Sequence, residues 1–413
     1  MIEAVWRIES AKLIAALTRI VRDFGLAEEC AQEALVAALE QWPVEGIPDN
    51  PGAWLMATAK RRAIDAFRRE RRHADKLALL SREWEPADQP DPAEAVGDDI
   101  GDDLLRLVFT ACHPALATQA RVALTLRALG GLTTAEIARA FLVPEPTLAQ
   151  RIVRAKRTLA EQAVRFEVPG AAERPARLAS VLEVIYLIVN EGYTATAGSD
   201  WMRPRLAEEA LRLGRVLAEL VPAEPDVHGL VALLELQASR MRARTGPAGE
   251  PVLLLDQDRS RWDQLLIRRG LAAIERARAL SQPPGPYLLQ AEIAACHARA
   301  RTAAQTDWVR ITALYRELAE LDPSPVVELN RAVAASMAYG PQAGLRLVDE
   351  LVDHPALKGY HLLPSVRGDL LMRLHRYDEA RAELERAASL TRNERERALL
   401  RDRAERCRAA ALR

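Results

Sequence analysis

Apolar residues in this chain recur every three or four positions, and almost nowhere do they alternate one by one. Leu13, Leu17, Ile20, Val21 and Phe24 form one such row, and Cys30, Ala31, Ala34, Leu35, Ala38, Leu39 and Trp42 form the next. The spacing predicts helices over about 9–24 and 26–42. A third is predicted over about 51–72, with Trp54, Leu55, Ala59, Ala63, Ile64 and Phe67 on one side. Asn50 followed by Pro51 marks its start. The amide caps a first turn, and proline's missing N–H does no harm there.

A further helical pair is predicted downstream. Thr133 and Glu136 form the T-x-x-E pattern of a capping box, with Ile137, Ala138 and Phe141 facing inward. "LVP" makes a tight turn, and Pro144 and Pro146 fit only the first turn of the next helix. On that helix Leu148, Ile152, Ala155 and Leu159 form a narrow apolar stripe. Thr147, Gln150, Arg151, Arg154 and Arg157 form a second stripe roughly 130° away at 100° per residue. One face packs while the other presents long donors, as a helix entering a DNA major groove requires.

Proline and glycine clusters punctuate this helical pattern at "WPVEGIPDNPG", "EPADQPDPAEAVGDD", "EVPGAAERPAR", "RTGPAGEP" and "SQPPGP". They divide the chain into 1–73, an acidic linker over 74–100, 101–165, 178–280 and 284–413. With aromatics at only 5% and no alternating β-branched run, an all-α fold is predicted.

Charge sharpens this outline. The formal net charge of −1 hides strong segregation. Residues 60–72, "KRRAIDAFRRERR", carry seven bases against Asp65 and Glu70, whereas 83–103 carry nine carboxylates and no base. Local charge therefore points to partners where total charge does not. No apolar run approaches the ~20 residues of a membrane span, and "MIEAVWRIES" lacks the basic head and apolar core of a signal peptide. A cytoplasmic protein is expected. Cys30, Cys112, Cys296 and Cys407 lie far apart with no CxxC, and no histidine pair has metal-ligand spacing. Neither metal nor cofactor is expected.

The carboxyl-terminal blocks are less explicit. "LLLDQDRSRWDQ" gathers Asp256, Asp258, Arg259, Arg261 and Trp262, which predicts a salt-bridged structural loop; no nucleophile–base constellation is legible. Three stretches superpose on Ile311, Ala343 and Ala380, at spacings that bracket the ~34 residues of a tetratricopeptide repeat. "ELDP" at 320–323 and "YDEA" at 377–380 fit that repeat. Helix pairs of this kind stack into a superhelix whose concave face binds a peptide or a protein.

The order of the first blocks resembles a bacterial sigma factor of the extracytoplasmic-function class, which keeps sigma domains two and four. "AEECAQEALVAALEQW" is similar to the domain-two segment that docks on the β′ clamp helices of core RNA polymerase; the resemblance implies contacts by Glu29, Gln32 and Glu33. "NPGAWLMATAKRRAIDAFRRERR" is similar to the segment that melts and reads the minus-ten element. Lys60, Arg61, Arg62, Asp65, Arg68 and Arg69 would lie at or beside that DNA. Many relatives carry Asn at the position of Arg61, so the resemblance implies phosphate contact there. "GGLTTAEIARAFLVPEPTLAQRIVRAKRTL" is similar to the domain-four helix-turn-helix that reads the minus-thirty-five element and sits on the β flap. In the family the acidic linker threads the polymerase channels that later carry RNA. A subgroup bears a tetratricopeptide-type extension through which its members are controlled. The resemblance implies a transcription initiation factor that is not an enzyme, with core polymerase and promoter DNA as partners and a protein or peptide on the repeats. The rival reading is a stand-alone helix-turn-helix regulator with a repeat-type sensor.

Overall fold

The structure, a computed structural model, describes residues 2–78, 100–195, 197–198, 202–247, 249–280 and 282–411. Most of the acidic linker therefore lies outside the described residues. The chain divides into two compact units, residues 1–185 and 186–413.

In the first unit, α1 (Ile2–Val21), α2 (Phe24–Glu45) and α3 (Pro51–Ala78) form a bundle. The Asp23 carboxylate caps α2 by accepting from the Leu26 N–H at 2.7 Å, and Asn50 Oδ1 accepts from the Ala53 N–H at 3.0 Å. Both are the orphan donors of a first turn. Ala27, Ala31, Ala34 and Ala38 let α2 lie close against Ile14 and Leu17 of the same core. The helix α1 starts earlier than its apolar row suggests because Trp6 and Ser10 are also buried. Leu39 and Ile64, expected inside, are exposed. The alanine row fills the core-facing stripe of α2, and Leu55, Ala59 and Ala63 fill that of α3.

Next come α4 (Ile100–Ala111), α5 (Thr118–Ala128), α6 (Thr134–Ala140) and α7 (Glu145–Glu161), closed around Leu107, Phe109, Leu124, Leu126, Ile137 and Leu148. The compact unit runs past the break near 167–177. The helix α8 (Arg174–Tyr193) returns to it through residue 185. The buried Arg121 guanidinium donates to Glu183 Oε2 at 3.0 Å and to Ser180 Oγ, while the Ser180 hydroxyl donates to the Cys112 carbonyl at 2.6 Å. Arg177 donates to the Phe109 carbonyl at 3.0 Å.

The second unit continues with α9 (Pro204–Leu220), α10 (Pro225–Ala238), α11 (Gln264–Ala279) and α12 (Pro286–Arg299). Then follow α13 (Trp308–Leu321), α14 (Pro325–Tyr339), α15 (Pro341–Asp349), α16 (Leu362–Arg373), α17 (Tyr377–Leu390) and α18 (Glu394–Ala411). From α13 onward each helix packs on the next, as in stacked helix pairs, across short connections except for residues 350–361 between α15 and α16. Ile311, Ala343 and Ala380 fall on the first helix of successive pairs. Close crossings need small residues: a Cβ on Gly344 would come within 2.4 Å of Ser336 Cβ. One parallel pair of two-residue strands, β1 (Ala197–Gly198) with β2 (Arg392–Asn393), joins the two ends of the unit. Among the described residues no helix is long and apolar enough to cross a membrane.

The segment from Asp256 to Trp262 differs from expectation. Among the described residues it holds no internal ion pair. Asp258 caps a short 3₁₀ turn at Ser260, and Asp263 just beyond caps α11. Arg259 turns to backbone carbonyls and to the Trp262 ring.

Candidate nucleic-acid interface

The capping box at the start of α6 forms reciprocally. The Glu136 N–H donates to Thr133 Oγ1 at 3.1 Å, and the Thr133 N–H donates to Glu136 Oε2 at 2.9 Å. Leu142 takes a left-handed φ of 50° in the turn, and Pro144 precedes the first turn of α7. Leu148, Ile152, Ala155 and Leu159 are all buried, so the rotation of α7 about its axis is fixed. Thr147, Gln150, Arg154 and Arg157 are consequently exposed and Arg151 is half-buried. Arg157 pairs with Glu161 at 2.5 Å. Among the described residues, the side chains of Gln150, Arg151 and Arg154 make no hydrogen bond or ion pair, leaving a row of donors free for base edges or phosphates.

On α3, Arg61, Arg62, Asp65 and Arg68 are exposed and Lys60 is half-buried. Arg61 Nε donates to the Ala57 carbonyl at 3.3 Å. Arg62 lies 3.5 Å from Glu33. The side chain of Arg69 lies outside the described residues. On α2, Glu29 is exposed, and Gln32 and Glu33 are half-buried one turn on. The structure thus brings Glu33 and Arg62 together, whereas α3 and α7 present separate basic faces.

Sequence reading missed the residues that join the bundle of α1–α3 to that of α4–α7. Glu28, buried on α2, accepts from Arg127 Nε at 3.0 Å and from Lys156 Nζ on α7. Asp103 accepts from Arg19 at 2.8 Å and from Arg106 at 2.7 Å. Arg7 reaches Glu136 at 3.3 Å. One signal was available: Glu28 stands in the apolar row of α2 with Ala31, where an acid needs a partner. Burial pushes the Cys112 thiol up to about 11, and Thr125 shares a hydrogen bond with it at 3.3 Å, so it stays a neutral, poorly nucleophilic thiol.

Comparison with known proteins agrees with this geometry. The sigma-70 region 2 family matches residues 8–73, and sigma-70 region 4 matches 106–159. A family of unknown function, DUF6596, matches 177–278. A Rhizobium meliloti (strain 1021) protein, named only as uncharacterized, is 46% identical, over 94% of this chain and 91% of its own length. The "Probable ECF RNA polymerase sigma factor SigI" of Mycobacterium tuberculosis (strain CDC 1551 / Oshkosh) is 31% identical over 42% of this chain, a match that spans only 59% of SigI. ECF RNA polymerase sigma factor SigK of Mycobacterium tuberculosis (strain ATCC 25618 / H37Rv) is 30% identical over 36% of this chain and 78% of SigK. Yeast Tom70 aligns at 11% identity with a TM-score of 0.32, too slight to bear on the assignment. Two exposed basic helices, a capped helix-turn-helix and a match spanning most of SigK together place the chain: it belongs to the ECF RNA polymerase sigma factor family.

Proposed function

We propose that this protein brings core RNA polymerase to specific promoters and helps open the duplex, without catalysis of its own. Glu29, Gln32 and Glu33 would meet the β′ clamp helices. Lys60, Arg61, Arg62, Asp65, Arg68 and Arg69 would lie at the minus-ten element. Thr147, Gln150, Arg151, Arg154 and Arg157 would read the minus-thirty-five element, with the same bundle on the β flap. The observation that carries this is the buried stripe of α7, which leaves Gln150 and Arg154 exposed and Arg151 half-buried, all three with uncommitted donors among the described residues. In-vitro transcription with core enzyme, mapped across a genome, tests it. Promoter-specific initiation is expected only when core is present. Tight, salt-sensitive promoter binding without core would favour the stand-alone regulator instead.

The extension would regulate this activity, with a protein or peptide acting on the paired helices α13–α18. Support comes from α8, which both belongs to the DUF6596 match and inserts Ser180 and Glu183 around Arg121 of the first unit. A chain cut at 170 would strip that network, so the informative truncation ends after Tyr193. Promoter output and selectivity equal to the full chain's would remove the regulatory role.

A further inference from the structure

Among the described residues, the second unit encloses the Arg240 guanidinium with no carboxylate paired to it. Just past α10, Arg240 and Arg244 are each less than a tenth exposed. The Arg244 guanidinium lies 3.4 Å from the Tyr193 ring centroid and donates to the Tyr193 carbonyl at 2.8 Å. Arg240 sits between two rings, 5.5 Å from the centroid of Tyr193 and 5.8 Å from that of Trp262. Arg259 lies over the same Trp262 ring at 4.9 Å and donates to the carbonyls of His297 and Ala300 at 2.6 and 2.7 Å. Two rings thus carry three guanidinium groups.

Aromatic faces attract a cation but do not cancel its charge. Buried charges are ordinarily paired, because an unpaired one loses its hydration without return. The buried acids of this unit are already committed: Glu191 to Arg203, Glu235 to Arg215, and Glu292 to Arg278 and Arg310. Among the described residues, neither Arg240 nor Arg259 forms an ion pair, and the Arg240 side chain makes no hydrogen bond. Nε of Arg240, Nε of Arg259, Nε1 of Trp262 and Nδ1 of His297 are all buried without a hydrogen-bond partner. Burial, then Arg240 and Arg259, hold the His297 imidazole down to about 3, so it is neutral near pH 7 and adds no charge. Arg259 is only partly buried, which leaves the cluster a side open to solvent.

We propose that Arg240, Arg259 and Trp262, backed by Tyr193 and Arg244, form a binding site for a small polyanion carrying two or more carboxylate or phosphate groups. Its head would lie against Arg240, with Arg259 at the mouth. A nucleic-acid backbone is too bulky to reach a guanidinium this enclosed, unlike those on α7. Such a ligand would be the input that the extension reads, a step that rests on the regulatory role proposed above. Binding itself is measured without polymerase, so failure of either leaves the other standing.

The test is thermal unfolding of the full chain titrated with inorganic pyrophosphate or citrate, against sodium chloride at matched ionic strength. A saturable rise in Tm is expected with at least one anion, and which one identifies the head group as phosphate or carboxylate. The rise should persist in Arg151→Ala/Arg154→Ala and vanish in Arg240→Met. If Arg240→Met does not fold, Arg259→Gln at the exposed edge should weaken the apparent affinity about tenfold, the loss of one charge-assisted contact. No rise beyond the salt control with either anion would overturn the proposal. So would a rise that survives both Arg240→Met and Arg259→Gln.

Discussion

On α7, Arg154 is exposed and Arg151 half-buried, and neither guanidinium has a partner among the described residues. In the second unit, Arg240 and Arg244 lie over Tyr193 and Trp262 and are almost wholly enclosed. The side chain is the same, and its surroundings decide its use. The unpaired donors on α7 cost the fold little and stay available to a partner. The enclosed pair is part of the core, so removing its platform removes packing as well as charge.

The largest test of this contrast is Trp262→Ala. Trp262 is 3% exposed, so its loss should cost about 3–5 kcal/mol. Thermal unfolding should register a large fall in Tm, whereas Arg154→Ala should stay within about 0.5 kcal/mol of the parent. Equal losses would break the comparison. The double variant Arg151→Ala/Arg154→Ala addresses the other side. Each base contact is worth about 1–3 kcal/mol, so losing two should lower promoter-specific transcription by roughly thirtyfold or more while core binding and Tm hold.

A smaller effect comes from pH. In the folded chain His297 is held down to about 3, against an ordinary 6.5. The unfolded chain therefore takes up the proton first. The stability gained by keeping the ring neutral is complete above about pH 6.5 and is lost progressively as pH falls toward 3. About 2 kcal/mol should go between pH 7 and 5. Denaturant titrations of His297→Gln should show a flatter profile over that span; an unchanged slope would separate His297 from the enclosed arginines. Smallest of the four, Thr133→Ala removes one capping hydrogen bond and should cost about 1 kcal/mol, seen as a modest fall in Tm.

What could be read before folding was local. The caps at Asn50 and Thr133, the turn before Pro144 and the two stripes of α7 depend on neighbours within about one turn, and sequence spacing encodes them directly. Exposed donors on α7 follow from the same arithmetic. Contacts across long separations were not legible. Nothing near Lys156 announces Glu28, and nothing near Trp262 announces Arg240, because loops of unstated geometry lie between. The segment holding Arg259 and Trp262 drew notice for its charges, but the partners it finds are rings and carbonyls rather than its own aspartates. That α8 packs back on Arg121 and Cys112 was not legible from the Pro- and Gly-bearing segment before it, which reads as a boundary.

The two-residue pairing of Ala197–Gly198 with Arg392–Asn393 has a larger effect than its size suggests. Stacked helix pairs ordinarily contact only their neighbours and can fray from a free end. Here Asn393 donates to the Ala195 carbonyl at 3.0 Å and accepts from the Arg395 and Glu396 N–H groups that open α18. The first turn of the last helix is thus stitched to the loop after α8 and cannot open alone. Forming that stitch requires nearly two hundred intervening residues to be in place, which makes it a late step in folding. Once closed, it ties the segment after α8 to the start of the last helix.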